Sequence, residues 1–202
     1  MSPTDAAARI LEVVGRDGRG LRVTFLWDED RFGHEIAYLE GREATVCLRA
    51  DLGRGQDPWP ASPALQQLSL EELQPGRPGA LLVGMAGQSH WSQSVEVDAA
   101  TTSVTFDAAC RVQGPPRWLG SRYRAIPDAG VEAAPDGGLT LPGRVALNVE
   151  PAADGPPARI ETAGLCVAIA PDWRTLSLPA TVRWKYRISV RAAAALPSGA
   201  AV

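Results

Sequence analysis

Between Thr181 and Arg191 the chain alternates so regularly that one local structure is implied. Val182, Trp184, Tyr186, Ile188 and Val190 take every second position, and Thr181, Arg183, Lys185, Arg187, Ser189 and Arg191 fill the places between. A strand sends successive side chains to opposite faces, whereas a helix would scatter both sets around its circumference. The segment is expected to be a half-buried antiparallel strand with an apolar inner and a basic outer face.

The same period recurs along the chain. Trp91, Val95 and Val97 oppose Ser92, Ser94 and Glu96, and Val104, Phe106, Ala108, Cys110 and Val112 oppose Ser103, Thr105, Asp107 and Arg111. The residues 98–102 between these runs suit a hairpin loop. Leu21, Val23, Phe25 and Trp27 form another set, after which residues 28–33 turn the chain, His34 to Glu40 returns and Thr45 to Arg49 follows. Ala6 to Val14 fits a helical stripe or a strand. The strand is favoured because a glycine-rich turn and another strand come next. Val145, Leu147 and Val149 alternate as well, and Arg159 to Ala170 reads as a returning strand after the turn at Asp154-Gly155. A further turn of this kind is expected at Asp136-Gly137-Gly138, before Leu139 to Leu141.

Asp51 to Pro63 is the one long irregular connection, with Pro58, Trp59, Pro60 and Pro63 in close succession. Proline removes ladder donors, so this stretch is expected to run as a loop over a surface or sheet edge, and long loops of this kind are often functional. Leu65 to Leu73 reads as a helical turn or an edge strand. Many short strands must each bury one face, and two antiparallel sheets packed face to face achieve this. The expected fold is therefore all-β, an antiparallel β-sandwich, with a partly open β-barrel as the alternative and at most a short helix. Residues 1–191 read as a single β-rich domain and 192–202 as a flexible C-terminal tail.

Composition narrows the function. In 202 residues with a net charge of −3, nothing draws the chain as a whole toward nucleic acid or an anionic membrane. No window approaches the roughly 20 apolar residues of a spanning helix, and the opening lacks the basic and apolar regions of a signal peptide. Cys47, Cys110 and Cys166 are odd in number and widely spaced, so no disulfide framework is expected and the cytoplasm is the expected compartment. Cys110 and Cys166 read as core residues and Cys47 as the exposed one.

Several chemistries lack their motif. The sole lysine, Lys185, stands in no phosphate-binding loop, and Gly18-Arg19-Gly20 and Gly53-Arg54-Gly55 lack the third glycine of a dinucleotide fingerprint. Gly87-Gln88-Ser89-His90-Trp91 has tryptophan where a nucleophile elbow needs glycine, and a strand rather than a helix follows. His34-Glu35 lacks the second histidine of a zinc-protease helix. The acidic clusters Asp28-Glu29-Asp30 and Asp51 to Asp57 read as solvated turns, and each histidine as a polar residue at a strand end. Nothing in these motifs calls for a metal or cofactor.

The six tryptophans are the most suggestive set. Trp27, Trp91 and Trp184 sit on apolar faces and are expected in the core. Trp59, Trp118 and Trp173 fall in loops, and Trp118 belongs to an arginine and aromatic cluster with Arg117, Arg122, Tyr123 and Arg124. Exposed aromatics beside arginines suit sugar stacking, peptide capture or base stacking. The sequence thus points to a non-catalytic binding or interaction domain for a small-molecule, glycan or protein ligand. Its site residues would be Trp59, Trp118, Arg117, Arg122 and Arg124, with Trp91 and His90 nearby. The alternatives are a metal-dependent hydrolase or isomerase using His34 and His90 with loop carboxylates, and a structural subunit of a larger assembly. The basic stripe Arg183, Lys185, Arg187 and Arg191 is expected to be neutralised by neighbouring acidic strands.

Overall fold

Period-two alternation becomes fifteen strands in the computed structural model, which describes residues 8–192 apart from 54, 128–129, 131, 134–137 and 141–144. Their order is β1 (Arg9–Val14), β2 (Arg19–Asp28), β3 (Arg31–Glu40), β4 (Glu43–Ala50), β5 (Gln67–Gln74), β6 (Arg77–Ala86), β7 (Ser89–Asp98) and β8 (Ser103–Val112). They continue as β9 (Ser121–Ala125), β10 (Glu132–Ala133), β11 (Leu139–Thr140), β12 (Val145–Pro151), β13 (Arg159–Ala163), β14 (Cys166–Ala170) and β15 (Ala180–Ala192). Among the described residues there is no α-helix, and no helix is long and apolar enough to cross a membrane.

The strands build two antiparallel sheets, the first in the order β1-β2-β3-β4-β9-β14-β13 and the second in the order β10-β11-β12-β15-β8-β7-β6-β5. The fold is a β-sandwich and does not close into a barrel. One core joins the sheets. Leu21, Val23, Phe25, Ile36 and Tyr38 of the first sheet lie in the same buried cluster as Val104, Phe106, Trp184, Tyr186 and Ile188 of the second. Fully burying side chains of this size contributes about 2 kcal/mol each over leaving them in water. Aromatic geometry adds order, with Phe106 stacked on Tyr186 at 5.0 Å and Trp91 edge-on to Trp184 at 6.2 Å.

A chain of polar groups crosses this core, although Trp91 Nε1 and the Gln93 side-chain amide are buried without a hydrogen-bond partner among the described residues. His34 Nε2 shares a hydrogen bond of 2.7 Å with the Tyr123 hydroxyl, which lies 2.6 Å from the Tyr186 hydroxyl. Trp184 Nε1 donates to Ser121 Oγ at 3.0 Å. Since β9 belongs to the first sheet and β15 to the second, these bonds pin the sheets together across the core. Burial holds His34 neutral, with its pKa lowered from the ordinary 6.5 to about 4, and pushes both tyrosine hydroxyls up.

Several expectations need correction. Arg159 to Ala170 is not one strand but the hairpin β13–β14, turning at Gly164, whose φ of +57° is a backbone conformation that suits glycine. This hairpin joins the first sheet, while β12 pairs with β11 and β15 in the second. Pro156 and Pro157 follow the turn at Asp154-Gly155 and cannot donate to a ladder, so the chain crosses between sheets there. Cys47 is buried rather than exposed. Ile36 pairs Leu48 while Ala37 pairs Val46, so Cys47 is the extra residue of a bulge and the count by twos fails at it. Its thiol is pushed up to about 11 by burial, and the partly exposed cysteine is Cys166. Trp27 is 37% exposed at the end of β2, edge-on to Phe32. His34 is a mid-strand core residue rather than a strand-end one.

Other expectations match the structure. Residues 9–14 form a strand, Leu65 to Leu73 becomes mostly the edge strand β5, and the basic stripe is cross-paired at three of its four positions, Arg187 having no ion pair among the described residues. Arg183 meets Asp107 at 2.7 Å, Lys185 meets Asp154 at 2.7 Å and Arg191 meets Glu150 at 3.7 Å. The expected turn at Asp136-Gly137 and the tail from residue 193 onward lie outside the described residues.

Candidate functional site

The long loop between β4 and β5 and the segment between β8 and β9 meet on the first sheet. Arg117 Nη2 donates to Asp57 Oδ1 at 3.2 Å, and Trp118 Nε1 donates to the Ala61 carbonyl at 2.9 Å. Ser62 Oγ donates to the Arg122 carbonyl and accepts from the Arg122 amide at 2.9 and 3.0 Å. The Arg122 guanidinium lies 4.4 Å above the Trp118 ring, and Trp59 packs half-buried against the core. The structure therefore brings Arg117, Trp118 and Arg122 to the Trp59 loop. Their polar groups serve to fasten that loop, because irregular backbone on a sheet needs partners for donors and acceptors no ladder satisfies. What stays open beside them is a small cleft of about 130 Å³ between Trp118 and Trp173, rimmed by Arg159 and Asp172. Arg124 lies apart from this cleft, exposed on β9 opposite Arg49 and Cys166.

His90 and Trp91 belong to the other sheet. Trp91 is buried in the core, and His90, one residue earlier, faces solvent on the outside of the second sheet. His34 lies between the sheets, so the two histidines do not converge. Among the described residues no three side chains of His, Cys, Asp and Glu are grouped as a metal site requires.

A larger concavity lies where His90 points. The outer face of the second sheet carries a trough of about 550 Å³ across β6, β7, β8 and β15. Register defines its surface as a grid. One row reads Met85, His90, Arg111, Thr181, the next reads Val83, Ser92, Ala109, Arg183, and the third reads Leu81, Ser94, Asp107, Lys185. The β6 column is apolar and open to water, with Leu81, Val83 and Met85 exposed by 40, 47 and 50%. The next two columns carry mostly small or polar side chains, which leaves the depression, and the β15 column is polar to basic.

Local sequence explains this surface. In residues 80–86 an apolar side chain stands at nearly every position, so Ala80 and Leu82 fill the core while Leu81, Val83 and Met85 have nowhere to go but out. Gly84 lets the segment 64–66 pass against β6, since a Cβ there would strike the Ala64 carbonyl. The Gln66 side chain then takes the place of a neighbouring strand for Met85, accepting from its amide at 2.7 Å and donating to its carbonyl at 3.1 Å. Met85 is thereby held in line at the end of the ladder.

Val83, Met85 and Arg111 are functional candidates that the tryptophan and arginine argument missed. The available signal was the unbroken apolar run in an antiparallel strand, where a solvated outer face should show alternation.

Compared with family models, curated proteins and solved structures, the chain matches none.

Proposed function

We propose that this domain is a non-catalytic binding module that takes its ligand on the outer face of the second sheet. The carrying observation is a separation. The polar groups His34, Tyr123 and Tyr186 are buried and bonded to one another in the core, while a concavity of about 550 Å³ on the outer face is lined by apolar and polar side chains, His90 among them, around one arginine. Sites of this size with an apolar wall and a few polar groups are characteristic of ligand binding. Three free cysteines fit a reducing compartment such as the cytoplasm.

The aromatic and arginine surface of the first sheet supplies a second reading, favoured by the cleft that Trp118 and Trp173 share. Titrating the native protein with the fluorescent apolar anion anilinonaphthalene sulfonate separates the two. Saturable binding at one site is expected, lost in the Val83→Ser, Met85→Ser double variant and retained in Trp173→Ala. The opposite pattern moves the site to the loops. Concentration-dependent dimers that vanish in the double variant would make the face a self-association surface, as a structural subunit requires.

A further inference from the structure

We infer that the trough binds an amphipathic monocarboxylate, a small molecule with one anionic head and an apolar body. The inference rests on the reading of this face as the recognition surface. Charge complementarity on the grid supports it. The residues lining the trough include one cation, Arg111, and no carboxylate. Arg183 in the adjacent row is neutralised by Asp107 at 2.7 Å, whereas no carboxylate among the described residues pairs with Arg111. The register partners of Arg111 are His90 on one side and Thr181 on the other, so residues carrying an imidazole and a hydroxyl flank the Arg111 position on the sheet. A planar guanidinium binds a carboxylate through two parallel hydrogen bonds, and such charge-assisted bonds strengthen where water is partly excluded.

The body of the ligand is specified by what lies beside Arg111. Two strand spacings, about 10 Å, separate the β8 column from the β6 column. Across that span Ser92 and Ala109 leave the sheet low, and Val83 and Met85 form the apolar wall at its far side. An anion at Arg111 therefore lays its hydrocarbon over Ala109 and Ser92 against Val83 and Met85. A compact polyanion finds one cation and an apolar wall, which is a poor match. The volume of about 550 Å³ is that of a small-molecule site.

The test is calorimetric titration of the full chain with octanoate, decanoate, decanol and decyltrimethylammonium, with amide NMR shifts to locate binding. Decanoate is expected to bind one to one and perturb His90, Ser92 and Arg111. Its affinity should exceed that of octanoate by about twofold or more per added methylene. Arg111→Ala should weaken decanoate about tenfold or more and leave decanol unchanged, and Val83→Ser should weaken both. Decanol or the cation binding as well as decanoate overturns the carboxylate assignment while the trough remains a binding surface. An apolar peptide with a free C-terminal carboxylate binding where decanoate does not makes the face a protein-docking surface and overturns the small-molecule assignment. Failure of every apolar probe, with no shifts on the outer face, removes both this inference and the reading beneath it.

Discussion

The loop cluster on the first sheet and the trough on the second carry similar side chains, each an arginine beside bulky apolar groups, but they differ in what those side chains already hold. In the cluster, Arg117 is bound to Asp57, Trp118 to Ala61, and Arg122 lies over Trp118 while its backbone is tied to Ser62. In the trough, Leu81, Val83 and Met85 face water, and no described carboxylate meets Arg111. Residue type alone does not mark a recognition surface. A long loop without a ladder must borrow partners from its surroundings, and the side chains it borrows are no longer free to bind a ligand.

Four outcomes would sharpen or break this contrast. The largest concerns His34, the extreme case of a group committed to structure. Its folded pKa of about 4 lies below the ordinary 6.5, so between these values the unfolded chain binds a proton that the folded one refuses. The full His34 contribution is present above pH 6.5, falls as pH drops through that window, and is lost below about 4, a change of about 3 kcal/mol. Denaturant melts from pH 7.5 to 4 should show this slope, and His34→Gln should flatten it. An unchanged slope in the variant would place the titrating group elsewhere.

Trp118→Ala comes next. It deletes a half-buried ring and the donor to Ala61, and should cost about 2 kcal/mol in urea unfolding while leaving binding at the trough intact. If the melt is unaffected, Trp118 does not fasten the loop and the first-sheet surface regains its claim as the site. Arg117→Ala removes an ion pair whose arginine is 74% exposed, and should cost no more than about 0.5 kcal/mol. A much larger loss would show that the pair, rather than the ring, holds the loop down.

The smallest effect is expected in the trough. Val83→Ser and Met85→Ser together should change stability by no more than about 0.5 kcal/mol, because both side chains are already about half exposed to water on the outer face. A loss of several kcal/mol would show that this apolar column supports the fold rather than awaiting a ligand.

Much of the architecture was legible in the residues themselves. Strands β2, β7, β8 and β15 follow from alternation, β3 from its place after a turn, and the two-sheet fold from their need to bury one face each. Alternation failed at Cys47, where a bulge adds one residue, and between Arg159 and Ala170, where two short strands on either side of Gly164 read as one. The candidate site was less legible. His90 was named and lies on the trough, but Val83, Met85 and Arg111 were not, since nothing local distinguishes an apolar side chain facing the core from one facing water.

What the sequence determined by itself is whatever depends on neighbours along the chain: which residues alternate, where glycine and proline turn it, and which side chains share a strand face. Tertiary structure decided which strands lie side by side. Strand order and register placed Met85, His90, Arg111 and Thr181 in one row although they span residues 85 to 181, and set His34 against Tyr123 and Tyr186 inside the core. Pairing is a contest among long-range contacts, each paid in loop entropy and returned by packing, so no short window contains its outcome.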